Sequence, residues 1–442
     1  MWRCRLFSHL TLPLALVFLF GAVIIQSART QEEEELSQWT DEILQQVSEL
    51  SGLPVKAKVR VGFKERAELR RYILSKIEEE YPPSKLEGWR KSLVKFGFLP
   101  SETDLKELLL DLYQEQVGGF YDPETKLLFL VKGFQKQLQG AIVSHELTHA
   151  LQDQHFDLLS LLKSTFSNDD LTLARQSVIE GVATGVMIEY LTGAELEELP
   201  ELGAAMKSAV GLQVGFTPVF SSAPPYIQNH LLFPYLEGTA FYQKYLKRMK
   251  GRDLSYLFNH LPLSTEQLIH FEKYGEEEDL PVIIELNRLG DVLPSGWNFL
   301  YGNVMGELDV KLLLQSYLPE EEAKEASQGW DGDSYRTYQG EEGVILIWLS
   351  TWDTLGDAQE FYTAYQRLIK EKYRHERMEE EQGNSSLWHT EQALVYLERR
   401  GEDVLIIEGV SKPLLSPIVT AAFSSEKVPV SVKVRASTST GR

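Results

Sequence analysis

A third of the way along the chain, Ser144-His145-Glu146-Leu147-Thr148-His149-Ala150-Leu151-Gln152-Asp153 constrains the architecture more than any other stretch. Histidines four residues apart share a face when the backbone is helical, about one turn apart along the axis. The segment therefore predicts a helix whose two imidazoles can bind one metal ion. Ile142, Val143, Leu147, Ala150 and Leu151 predict apolar cover for it. Glu146 lies on the neighbouring flank, poorly placed as a ligand but able to reach water beside an ion. That is the arrangement hydrolysis needs: the ion acidifies water and polarises a carbonyl, and a carboxylate accepts the proton.

A catalytic ion needs a third protein ligand and an open position. The only cysteine is Cys4, so the ligand has to be a histidine or a carboxylate, and no intramolecular disulfide can form. Glu180 is the preferred candidate. It is an acid inside the otherwise apolar run Val178-Ile179-Glu180-Gly181-Val182-Ala183-Thr184-Gly185. Gly181, Ala183 and Gly185 keep its flanks small, as a close helix–helix approach requires. Glu189 is a weaker competitor near the end of the same predicted helix. Gln152 stands where an HExxHxxGxxH pattern needs glycine to end the helix, and on a helix that continues His155 points elsewhere, so that reading fails.

The stretch His145–Asp153 closely resembles the zinc helix of thermolysin-like metalloproteases, the gluzincins. That resemblance covers about residues 140–190. It implies His145, His149 and Glu180 as ligands of one Zn2+ per chain, Glu146 as general base, and Asp153 as a supporting acid behind them. Gluzincins often carry Asp four residues after the ligand Glu, to orient a histidine; this chain has Thr184, so another carboxylate or a carbonyl has to hold the ring. The wider pattern, Gly119-Phe120-Tyr121-Asp122-Pro123 before and Glu180-Gly181-x-Ala183 after, is similar to a group of exported bacterial proteins with no assigned substrate. The resemblance implies a mostly helical zincin-like domain with a short edge sheet. Leu127–Val131, just before the zinc helix, fits the edge strand that pairs with an extended substrate. Such enzymes need a donor for the developing oxyanion. Tyr235, His230 and His270 are candidates, with His270 and Tyr235 preferred.

The remaining sequence sets the context. Arg3 and Arg5 precede the apolar run Leu10–Ile25, and Glu32–Glu35 follow it. Basic before and acidic after is the asymmetry of an exported chain. The 16-residue run is short for a membrane span, which needs about 20. Residues 1–28 are thus expected to be a cleaved signal peptide or a membrane anchor, with the catalytic domain outside the cytoplasm. A net charge of −21 opposes binding to a phosphate backbone, so a nucleic-acid partner is not expected.

The expected organisation is α+β: an acidic helical segment at 29–52, a metalloprotease domain at 53–294 and a small α+β domain at 295–442. Helices are expected near 65–80, 105–116, 135–162 and 170–190, and mostly helical structure broken at Pro218, Pro224, Pro225 and Pro234 thereafter. In the last domain a strand at 344–350, a helix at 358–370 and a hairpin of 387–398 with 404–408 give a β-α-β-β order. Gly329–Asp333 is expected to be a structural turn rather than a calcium loop, Trp348 and Trp352 to pack, and the tail from Ser424 to be loose. Together these readings predict an exported zinc metallopeptidase acting on peptides or proteins. The alternatives are a binding protein with a structural or vestigial zinc site, or a zinc hydrolase of a non-peptide amide.

Overall fold

The helix that carries the two histidines, Lys136–Phe156, buries Val143, Leu147 and Leu151 completely. Each such side chain is worth about 1.5–3 kcal/mol of burial, so the apolar cover anchors the helix. The helix stops at Asp157, whose φ of 50° is left-handed. Asp tolerates that region because its side chain bonds locally: Asp157 accepts from the amide and hydroxyl of Ser160 and starts the short helix Leu158–Lys163. The expected single helix over 135–162 is therefore two. The computed structural model of the chain describes residues 29–131, 136–163, 168–201, 217–249, 251–275, 279–373, 377–391 and 393–429. The expected targeting segment 1–28 lies outside them.

The structure is α+β, as expected, and divides into two units. The first comprises the described residues of Met1–Tyr81, Asp104–Phe166 and Thr172–Pro262; the second comprises the described residues of Pro82–Thr103, Ser167–Leu171 and Leu263–Arg442. The last segment of the second unit opens at Leu263, where the sequence placed its expected boundary at 294. Residues 82–103 belong with the C-terminal part because the Pro83–Phe96 helix packs on its sheet. Phe96 meets Trp348 edge to face at 5.7 Å, and Ser92 Oγ is 2.8 Å from Thr337 Oγ1.

In the first unit, β1 (Arg60–Lys64), β2 (Gly119–Asp122) and β3 (Leu127–Val131) form one sheet in the order β1-β3-β2. β3 pairs parallel with β1 and antiparallel with β2. It is the central strand, so the edge-strand expectation for Leu127–Val131 is corrected: both its edges are occupied, and no backbone row is free for a substrate. The β2–β3 turn forms where Asp122 accepts from the Glu124 amide and the Thr125 hydroxyl. The Arg29–Ser51 helix packs on the motif helix through the buried Ile43, Leu44 and Val47, so the acidic segment is part of the core of this unit. The Asp169–Thr192 and Pro225–Met249 helices complete the surroundings of the site; Pro234, expected to break a helix, lies inside the latter.

The second unit is built on a seven-stranded antiparallel sheet. Its strands are β5 (Asn298–Asn303), β6 (Trp330–Gly340), β7 (Gly343–Trp352), β8 (Arg377–Gln382), β9 (Ser385–His389), β10 (Leu394–Arg400) and β11 (Asp403–Val410). The order is β5-β6-β7-β11-β10-β9-β8. A further strand pair joins β4 (Val282–Glu285) to β12 (Glu426–Pro429), so the start of the expected loose tail is in fact paired. The expected strand 387–398 is two antiparallel strands, β9 and β10. On β7, Ile345, Ile347 and Leu349 face one apolar core with Ile418 and Ala422 of the Lys412–Phe423 helix. Trp348, on the other face, packs against Phe361 and Tyr365 of the Leu355–Lys372 helix. Trp348 and Trp352 are both buried, as expected. Gly329–Asp333 is not a turn, since β6 begins at Trp330. The buried Asp333 carboxylate accepts from the Met305 and Gly306 amides and from the Trp330 and Trp348 indoles.

Candidate metal centre

His145, His149 and Glu180 come together in the first unit. His145 Nε2 is 3.1 Å from His149 Nε2 and 3.1 Å from Glu180 Oε2; His149 Nε2 is 3.4 Å from the same carboxylate oxygen. The ring centroids of the two histidines are 4.7 Å apart, at 86° to each other. An ion with tetrahedral bonds of about 2.0–2.1 Å separates its donors by about 3.3 Å, so the three donor atoms fit one ion. Glu180 is 0% exposed and its Oε1 has no hydrogen-bond partner, a state that costs free energy unless something positive is near it.

Two helices deliver the donors, and the residues beside Glu180 explain how. The Asp169–Thr192 helix crosses the Pro225–Met249 helix at Gly181 and Gly238 with the backbones in contact: a Cβ on Gly181 would lie 2.1 Å from the Gly238 carbonyl oxygen. The small flank inferred from the sequence serves this approach. It also brings in Tyr235, one turn before Gly238. The Tyr235 ring centroid is 6.1 Å from that of His145. Burial first, and then the charges of Glu180 and Glu146, hold the Tyr235 hydroxyl protonated far above its ordinary range.

The histidine tautomer follows from a chain of bonds. Gln152 Nε2 donates to the Ile179 carbonyl at 3.0 Å, which turns Gln152 Oε1 toward His149 Nδ1 at 2.8 Å. Nδ1 therefore carries a proton, and Nε2 is the atom left for an ion. Gln152 does the work for which no carboxylate was found after Glu180. It was missed in the sequence; its signal was an amide three residues after the second histidine, on the same helix face.

Glu146 is held from β2. The Tyr121 amide donates to Glu146 Oε2 at 2.6 Å, while Glu146 Oε1 is buried without a partner. Tyr121 in turn gives its hydroxyl to Asp153 at 2.7 Å, and Lys126 adds an ion pair at 2.6 Å. Asp153 thus supports the anchor of Glu146, a narrower role than the supporting acid of the ligand set. Burial pushes the Glu146 carboxyl up to about 8, against the pull of His149 and of the Tyr121 N–H. Burial also opposes charge on His149, but Glu180 outweighs it and raises the ring to about 9. Burial would raise Glu180 too; the two histidines instead bring it down to about 2. Without an ion, the centre holds a Glu180 carboxylate against a His149 imidazolium.

The other candidates have partners of their own. Glu189 is spent on Arg252, with both carboxylate oxygens engaged at 2.5 and 2.6 Å. His155 Nε2 bonds the Pro54 carbonyl at 2.8 Å. His230 packs on Tyr226. His270 belongs to the second unit, where its Nε2 is 2.9 Å from Glu307 Oε1. A second cluster of ligand type, Glu266, Asp279 and Asp353, has its positive charge already: Lys273 Nζ is 2.6, 2.8 and 2.5 Å from the three carboxylates.

A family described as a domain of unknown function, DUF8575, matches residues 300–418, within the second unit. No curated protein and no solved structure matches the chain.

Proposed function

We propose that this chain is an exported zinc metallopeptidase that hydrolyses peptide bonds with Glu146 as general base. The observation that carries the reading is the buried His145–His149–Glu180 triad with the unpartnered Glu146 Oε1 beside it. Two imidazoles and one carboxylate are a zinc donor set that leaves a position for water. Zinc there would supply Lewis acidity, polarising the scissile carbonyl and lowering the pKa of water toward about 7. Glu146 accepts the proton at Oε1 and passes it to the leaving amine, while the Tyr121 amide keeps the carboxylate turned to the site. Tyr235 donates its O–H to the carbonyl oxygen as negative charge develops. Gln152 holds His149 in the ligating tautomer.

One observation favours a second reading, a structural metal site. His145 and His149 are 2% exposed and Glu146 and Glu180 0%, so a substrate must open a path to them. Against that reading stands Glu146, because a structural site has no use for a base. Digestion of a denatured-protein library by zinc-loaded wild type and Glu146→Gln, with mass spectrometry of new termini, separates the two. Cleavage by the wild type alone, with about one zinc per chain in both, is expected. Equal cleavage by both would overturn the assigned base, and zinc-loaded wild type that cleaves nothing would overturn the peptidase reading.

A further inference from the structure

The second unit contains a cavity of about 560 Å³ whose lining is strongly basic for a chain with a net charge of −21. Arg90, Lys91, Lys95 and Lys372 line it, with the rings of Tyr317 and Tyr373 and, among the lining residues, a single carboxylate, Glu391. The volume lies within the range of small-molecule sites.

The partners of the four cations differ, and the difference identifies the one left over. Arg90 is held by both carboxylate oxygens of Glu87, at 2.7 and 2.8 Å, and by the Ser101 carbonyl. Lys91 donates to the neutral Gln339 Oε1 at 3.0 Å and stands 3.8 Å from Glu87. Lys372 pairs with the buried Glu408 at 2.8 Å and also bonds the Lys95 carbonyl. Tyr365, Tyr373 and Lys372 already donate to the two oxygens of Glu408, which attracts Lys95 through space without a hydrogen bond. Lys95 is therefore the exception. No acceptor is within hydrogen-bonding distance of its ammonium among the described residues, although burial already disfavours its charge. Space for it is provided by Gly409, where an added Cβ would come within 3.0 Å of Nζ. Counting Glu87 and Glu408 behind the wall, four positive groups face three negative ones.

We propose that this cavity binds a small organic oxyanion, a carboxylate or a phosphate ester, with Lys95 as its charge partner and Lys91 as a second donor. A half-buried ammonium facing a cavity without an acceptor is poorly solvated, and an anion of matching charge relieves that. The tyrosine rings form walls for the organic part of the ligand. The site is independent of the metal centre and of the peptidase reading.

The test is titration calorimetry of the full chain with inorganic phosphate and with citrate at constant ionic strength, chloride serving as the reference anion. Wild type is expected to bind one equivalent of at least one probe in the millimolar range or tighter, and Lys95→Met to bind it at least tenfold more weakly. The probe that wins distinguishes phosphate from carboxylate chemistry. Lys95→Arg, which keeps the charge, is expected to retain binding, so loss through misfolding is recognisable; far-UV circular dichroism and unchanged zinc content report the fold. Binding of neither probe, or equal binding by wild type and Lys95→Met, would overturn the proposal.

Discussion

Gly181 and Gly238 touch backbone to backbone, and that contact seats the helix carrying Glu180 against the helix carrying Tyr235. A Cβ on Gly238 would lie 2.0 Å from the Ser177 carbonyl oxygen, and one on Gly181 would lie 2.1 Å from that of Gly238. Neither neighbour can rotate away, because both are helix backbone. Overpacking usually costs about 1–3 kcal/mol, and contacts this short belong at or above the top of that range. Gly238→Ala is expected to lower unfolding free energy by about 3 kcal/mol in urea and to weaken zinc binding as the helices separate. A variant with unchanged stability and unchanged zinc affinity would mean that the contact does not seat the helix carrying Glu180.

Gln152 transmits the position of Ile179 to the His149 ring. Second-layer partners of ligating histidines are typically worth about 10–100-fold in metal affinity. Gln152→Ala is therefore expected to weaken zinc binding within that range, measured by competition with a chromogenic chelator, with little loss of stability. Gln152→Glu accepts the same Nδ1 proton, and should restore most of the affinity; failure of both variants to move it would remove Gln152 from the site.

Tyr235 and Glu180 respond to different measurements. Removing one oxyanion donor usually costs about 10²–10³ in kcat. Tyr235→Phe is expected to lose that much with KM and zinc content nearly unchanged. Glu180→Ala is expected to lose the zinc itself. If Tyr235→Phe retains full kcat, the donor is another group.

A pH dependence is expected from Asp331 in the second unit. Burial, and then the like charges of Asp353 and Asp279, push its carboxyl up to about 6. A raised acid favours the folded state only while protonated. The contribution is fully present below the unfolded value near 4 and is lost as pH rises through about 6. The full difference would be about 3 kcal/mol, but the side chain is partly exposed and screening reduces it to about 1–2 kcal/mol. Asp331→Asn should thus stabilise the protein by about that amount at pH 7.5 and by almost nothing at pH 3.5. Unfolding curves at the two pH values that shift in parallel would contradict this.

Features of the site that depend on local geometry were legible in the sequence. His145 and His149 share a face because four residues make about one helical turn, and no distant contact alters that. Glu180 could be read because an acid in an apolar helix, with a glycine beside it, needs both a partner and a close neighbour. The helices at Arg66–Glu80 and Leu105–Gln116 were visible almost to the residue, helped by local caps: Glu65 with Glu68, and Asp104 on the Glu107 amide.

What the tertiary structure alone decided is pairing between residues far apart in the chain. β3 became a central strand because Arg60–Lys64, more than 60 residues earlier, took one of its edges. Tyr121 became the anchor of Glu146 through a backbone amide, which has no side-chain signature. Gln152 became the orienter of His149 only once Ile179 presented its carbonyl. Residues 82–103 joined the C-terminal sheet because Phe96 and Ser92 meet Trp348 and Thr337 on β7 and β6. The chain by itself determines where helices begin and which side chains share a face, since those follow from short-range sterics and hydrogen bonds. Which backbone groups meet across the core depends on how whole faces pack, and only the folded chain expresses that.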